Sequence, residues 1–182
     1  DKFSPSSAFS YFNTTHSSDE KKVVVAGYGS TGRVIARMLK NSDIPFIVFD
    51  NNPSCVAVGR ADGMPIFFGD ITDLKLLSTI KLEQASMMIV SIDHSLNAVK
   101  IVKHVKEYYV HIKILARAID IKAMDKLTAA GANWVIAETL ESSVRIGAEA
   151  LSAVGVMPEE IASLLDALRK NEYELVREIT KG

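Results

Sequence analysis

Cysteine is almost absent from this 182-residue chain: Cys55 is its only one. A single thiol excludes an internal disulfide framework and suits a reducing compartment. By itself Cys55 reads as a small apolar side chain. An excess of positive charge is also missing. The net charge is -1 and no basic stripe is visible, which argues against a nucleic-acid surface. No apolar run approaches the ~18 residues of a membrane span, and no signal peptide stands at the start. The chain opens on Asp1 rather than Met, which reads as an excised piece of something larger. The four histidines, His16, His94, His104 and His111, lack metal-ligand spacing, and Cys55 has no partner ligand. There is no G-x-S-x-G elbow for a nucleophile. Tyr109 and Lys113 have the Y-x-x-x-K spacing of an oxidoreductase pair. They straddle a helix end and a strand start, however, so they share no helical face.

What remains is a composition 48% apolar, enough for a globular core, organised around Lys22 to Gly32. The β-branched run Val23-Val24-Val25 leads into Gly27, Gly29 and Gly32, with G-x-G-x-x-G spacing. Arg33 to Lys40 follow with helical spacing, Val34, Ile35, Met38 and Leu39 being assigned to one side. Strand, glycines, helix is the context that a dinucleotide fingerprint requires. Gly27 permits a tight turn, Gly29 lets backbone approach a phosphate, and Gly32 lets the helix pack close. The helix N-terminus then offers N–H groups and partial positive charge to an anion.

Beyond that unit, strand and helix patterns alternate. Pro45–Asp50 is a second strand closed by an acid. Asp50 lies 18 positions past Gly32, close to the roughly 20-residue spacing of a ribose-binding carboxylate. A carboxylate there accepts hydrogen bonds from ribose hydroxyls and repels a 2′-phosphate, disfavouring NADP. Helix capping is left to Asn52-Pro53. A helix over 53–62 stops at Gly63. A third strand runs from Pro65 to Gly69-Asp70; Gly69 leaves room for a purine, and Asp70 either bonds the adenine amino group or caps the helix over 72–80. Met87 to Ser91 form a fourth strand, followed by the loop Ile92-Asp93-His94-Ser95 and a helix over 96–109. Lys113 to Arg117 form a fifth strand, a helix over 120–130 ends at Gly131, and Trp134 to Ala137 form a sixth, followed by Glu138.

Six β-α repeats with strands too apolar for a wet face imply an α/β fold: a Rossmann-like, doubly wound parallel sheet of six strands with helices on both sides. Asp50, Asp70, Asp93, Arg117 and Glu138 all stand just past a strand, on the edge where such sheets bind ligands. Residues 1–20, rich in Ser, Thr and Asn, read as a disordered linker, although Phe3, Phe9, Tyr11 and Phe12 are unusual in one. Residues 21–139 form the nucleotide-binding domain, and 140–182 the C-terminal crossover and dimerisation helices. In that tail the stripes Val144, Ile146, Ala148, Leu151 and Ile161, Leu164, Leu165, Leu168 need a partner surface. Residues 171–181 lean helical.

From about Lys21 to Lys181 the chain resembles the KTN domain, also called RCK or TrkA-N, of potassium transport proteins, and among these the Kef-type potassium/proton antiporters. The matching pieces are Val25-Ala-Gly-Tyr-Gly-Ser-Thr-Gly32, Val48-Phe-Asp50-Asn-Asn-Pro53, Gly63-Met-Pro, Phe68-Gly-Asp-Ile-Thr72, Val90-Ser-Ile-Asp93, Ile114-Leu-Ala-Arg-Ala118 and Glu138-Thr139. The likeness continues through Leu151 to Pro158 and Leu168-Arg-Lys-Asn-Glu-Tyr-Glu-Leu, which a generic dehydrogenase would not share. It implies a regulatory domain, not an enzyme, that binds AMP, ADP, ATP or NAD(H), dimerises through its C-terminal helices and gates ion flow. It would lie at the cytoplasmic or plastid stromal face of a membrane, in one polypeptide with an antiporter unit. A potassium-channel or uptake-system RCK domain is the alternative, with a small NAD-dependent oxidoreductase further off.

By that resemblance Gly27, Tyr28, Gly29, Ser30, Thr31 and Gly32 would hold phosphate, with Arg33 close by. Asp50 and Asn51 would hold ribose. Gly69, Asp70 and Ile71 would frame adenine, and Ser91, Ile92, Asp93, Arg117 and Glu138 would complete the site. Arg117 matches an arginine that contacts glutathione in Kef antiporters; here it could serve a nucleotide phosphate, serve glutathione, or pair with Glu138. The other glutathione contacts are not clearly matched.

Overall fold

The computed structural model describes residues 22–173. Its six strands, β1 (Val23–Ala26), β2 (Phe46–Asp50), β3 (Ile66–Phe68), β4 (Met87–Val90), β5 (Lys113–Ala118) and β6 (Trp134–Ala137), form one parallel sheet in the order β3-β2-β1-β4-β5-β6. Val23 pairs with both Phe46 and Met87, and Ala26 with both Phe49 and Val90. The strand ends are therefore level where the winding reverses between β1 and β4, and a crevice opens there. The sheet predicted from the repeats is the one present. Among the described residues, no helix is long and apolar enough to cross a membrane.

Period-2 alternation divides the strands between two cores. Val24, Ile47, Phe49, Met88, Val90, Ile114 and Ala116 face α3 (Leu74–Thr79), α4 (Ser95–Tyr108) and α5 (Ile121–Ala129), which contribute Leu77, Ile101 and Leu127. Val23, Val25, Phe46, Val48, Ile66 and Ile89 face α1 (Ser30–Asn41) and α2 (Pro53–Ala61), which contribute Ala36 and Val56. Asn52 caps α2 through the Ser54 N–H, with Pro53 in the first turn, as the sequence suggests. The cap of α3 is Asp73, not Asp70.

Helix α1 corrects the predicted pattern. It starts at Ser30 rather than Arg33, and its buried positions are Gly32 and Ala36, with Ile35 and Leu39 partly covered. Val34 and Met38, assigned by the sequence to the apolar side, are 59% and 65% exposed. The helix lies too close to β1 for large side chains, so its two smallest residues face the sheet. Gly27 adopts φ +101° at the preceding turn, a left-handed conformation that favours glycine. A Cβ on Gly32 would stand 2.1 Å from the Gly27 carbonyl oxygen.

The two faces are not equally covered. Helices α1 and α2 lie over β1, β2 and β3, while the β4–β6 half of the same face carries half-exposed Trp134 and Ile136. In the tail, α6 (Glu138–Ala153) docks Leu140 and Val144 on the first core, and α7 (Pro158–Arg169) folds back on α6 with Leu165 facing that core. An ion pair of 2.9 Å joins Arg169 to Glu141. Ile146 does not belong to the α6 stripe and is 70% exposed, because positions 140, 144, 148 and 151 share a helical face and 146 lies opposite. The linker 1–20 and most of 171–181 lie outside the described residues.

Gly32→Ala is expected to destabilise the chain by about 3 kcal/mol or more, since backbone rather than a flexible side chain stands in the way. Urea unfolding checks it: a wild-type midpoint would mean that α1 and the glycine turn are not packed this closely.

Candidate functional site

The crevice is a cleft of about 270 Å³ at the carboxyl ends of the strands. Ten of the predicted residues line it: Gly27, Gly29, Asp50, Asn51, Gly69, Asp70, Ile71, Ser91, Ile92 and Asp93. The sequence reading did not place Phe49, Asn52, Cys55, Thr72, His94 and Asn97 in the site, although they line it as well.

Asp50 terminates β2 and is half-buried. Its Oδ2 accepts the Tyr28 N–H at 2.6 Å and its Oδ1 the Asn52 N–H at 2.7 Å. These bonds fix the carboxylate between the glycine turn and α2. Each oxygen keeps a further lone pair for a ligand hydroxyl. Asp70 accepts from the Thr72 N–H and the Thr72 hydroxyl at 2.9 and 2.7 Å, so it shapes the turn before α3. A Cβ on Gly69 would meet Leu76 Cδ2 at 2.8 Å; besides lining the cleft, this glycine makes room for α3.

Ser91 is buried, and its hydroxyl lies 3.0 and 3.1 Å from the Ala26 and Gly27 carbonyls, tying the end of β4 to the glycine turn. Tyr28 places its ring in the second core, 1% exposed, with its hydroxyl donating to Asp62 at 3.2 Å. Burial, and next the Asp62 carboxylate, raise its phenol pKa. Tyr28 thus presents backbone, not its ring, to the turn. Cys55 is half-buried on the cleft wall, and desolvation followed by the charge of Asp50 raises its thiol pKa, keeping the thiol protonated.

Gly29 caps α1 by backbone alone, with no side chain bonded to the first-turn N–H groups and no acid in that turn. In contrast, Asn52, Asp73, His94 and Asp120 supply side-chain caps to α2, α3, α4 and α5. Uncapped N–H groups beside a crevice favour an anion. The Arg33 guanidinium is directed elsewhere, 3.5 Å from Asp62 and half exposed.

Ser30, Thr31, Arg117 and Glu138 line a second groove of about 520 Å³, apolar over Val34, Ile35, Leu115 and Ile136, on the open half of the α1 face. Arg117, largely buried, donates from Nε to Glu138 and from Nη1 to Asp93 Oδ1, the latter at 2.6 Å. Burial works against its charge, but the hydrogen bonds to Glu138 and then Asp93, with their charges, outweigh it and raise its pKa. The pairing with Glu138 was open to sequence reasoning; the link to Asp93 joins a loop, a strand and a helix start far apart in the chain and carries no local signal. One guanidinium therefore bridges the cleft wall and the first residue of α6. Tyr109 closes α4 and Lys113 opens β5, so those two share no helical face.

Fold and site together define a doubly wound α/β domain of the Rossmann type. More particularly, residues 23–138 match the model of the TrkA-N domain, and the chain belongs to that family. It is 32% identical over 164 residues to the glutathione-regulated potassium-efflux system protein KefC of Salmonella arizonae, covering 90% of this chain and 26% of that protein. The chain therefore spans about a quarter of the curated relatives it matches. The Kef C-terminal domain of Shewanella denitrificans, solved in AMP-bound form, superposes with a TM-score of 0.74 at 27% identity, covering 87% of this chain and 97% of that one. The GsuK channel bound to ADP shares the fold, with a TM-score of 0.63 at 23% identity over 79% of this chain and 37% of that one.

Arg117→Met should cost about 1 kcal/mol of stability at low ionic strength, because solvent already screens both exposed carboxylates. The loss should shrink in high salt. Thermal unfolding across a salt series checks this; a cost independent of salt would mean that packing, not charge, holds Arg117.

Proposed function

We propose that this chain is the regulatory nucleotide-binding domain of a potassium/proton antiporter. It would lie at the cytoplasmic or stromal face of the membrane, in one polypeptide with the ion-carrying unit. Adenine nucleotide (AMP, ADP, ATP or NAD(H)) is its ligand. One observation carries the reading: Asp50 and the uncapped start of α1 converge on a single cleft. Two kinds of relative support it, the KefC efflux proteins and the AMP-bound Kef domain. For a channel parent, GsuK supports the fold.

In this reading the phosphate rests on the α1 N-terminus around Gly29, the ribose hydroxyls bond Asp50, and the purine lies toward Gly69, Asp70 and Ile71. Tyr28, Thr31 and Gly32 act through backbone. In this reading the domain binds nucleotide as a regulator and turns over no substrate, in keeping with its TrkA-N membership. Regulation is differential binding: a ligand moves an ion gate only by its affinity difference between two domain arrangements. Arg117 is the physical link, because it touches Asp93 in the cleft wall and Glu138 at the head of α6. A second copy covers the open half-face and the groove over Val34 and Ile136, and the C-terminal helices supply the dimer contacts. Burying those side chains contributes on the order of 2 kcal/mol each. A glutathione carboxylate at Arg117 would share its guanidinium with Glu138 and Asp93.

Calorimetry on the isolated chain tests the reading. At least one of AMP, ADP, ATP and NADH should bind, and Asp50→Ala should weaken that binding about tenfold or more, ~1.4 kcal/mol. Silence from all four at millimolar concentration sinks it. Gly29→Ala gives a second check. A Cβ there meets nothing nearer than Asp93 Oδ2 at 3.7 Å, so folding should be unchanged while nucleotide affinity falls about tenfold.

A further inference from the structure

The cleft is lopsided in charge. Asp50, Asp70 and Asp93 line it, and among the described residues no lysine or arginine does. Positive potential reaches it from the α1 N-terminus, from Arg33, whose charge acts on the Cys55 thiol in the cleft wall, and from Arg117, which is bonded to Asp93. The two oxygens of Asp93 have different surroundings. Oδ1 is held 2.6 Å from Arg117 Nη1, while Oδ2 lies 3.7 Å from where a Cβ on Gly29 would stand. Gly29 is the glycine whose missing side chain lets a phosphate approach. A carboxylate thus borders the one place in the cleft built for an anion, and the Asp93 side chain is 83% exposed.

Resting on the nucleotide reading above, we infer that Asp93 is a charge filter that sets which adenine nucleotide the cleft holds. A single phosphate is partly offset by the α1 N-terminus, which carries about half a positive charge. Every further phosphate adds negative charge to a cleft that already holds three carboxylates. One unit charge some 6 Å from a carboxylate in a solvent-screened cleft is worth roughly threefold to tenfold in affinity. Free ATP is therefore held more weakly than AMP. A divalent cation on the phosphates reduces their charge and admits ATP. Arg117 does not cancel Asp93, because Glu138 shares the same guanidinium. Asp93 is consequently a specificity-determining residue, and its effect is read as a ratio of affinities.

The experiment is calorimetric titration of wild type and Asp93→Asn with AMP and ATP, each in EDTA and in excess Mg²⁺. Wild type should bind AMP about tenfold more tightly than free ATP, and Mg²⁺ should narrow that gap. Asp93→Asn should narrow it about threefold to tenfold in EDTA by tightening ATP. A folding defect would weaken both ligands together and leave their ratio alone. The filter is overturned if wild type binds free ATP as tightly as AMP, or if Asp93→Asn leaves the ratio unchanged. Failure of wild type to bind any adenine nucleotide would overturn the cleft reading itself, and the filter with it.

Discussion

The whole arrangement depends on how closely α1 approaches the turn that follows β1. The distance of 2.1 Å between a hypothetical Gly32 Cβ and the Gly27 carbonyl oxygen leaves no room for any side chain. That contact brings the start of α1 to the end of the sheet with its N–H groups uncapped. Ser91 locks the same turn to β4, and Asp50 locks it to β2 through the Tyr28 N–H. The cleft exists because three strand ends are fastened to one glycine turn. Its shape is therefore a property of the backbone, and side chains modulate what it accepts.

Much of this was legible in the chain. Apolar strands punctuated by glycine and proline signalled a parallel sheet, and the spacing of Gly27, Gly29, Gly32 and Asp50 marked the crevice. The orientation of α1 was not legible, because the residues facing the sheet are Gly32 and Ala36, which carry almost no hydrophobic signal. Val34 and Met38 dominated the pattern and proved exposed. Ile146 misled for the opposite reason: it is strongly apolar but lies off the stripe. Cys55, His94 and Asn97 reach the cleft from three different segments. Only the strand order brings them together, and no local spacing records that order.

Electrostatics follows the same division. The Glu138 partner of Arg117 could be named from sequence because both residues stand at or just past the end of a strand. Asp93 could not, since its part depends on the register of β4 and β5, in which Val90 pairs with Ala116 and Arg117 lies one residue further on. The resulting trio leaves the cleft short of cation, with the Arg117 guanidinium shared between the cleft wall and α6.

Trp134 is the only tryptophan in the chain, and its indole lies 54% exposed on the open half of the sheet. Indole emission moves to shorter wavelength when water is replaced by hydrocarbon. The molecule therefore carries its own optical reporter on the surface whose covering would accompany assembly, and no dye need be attached to watch it.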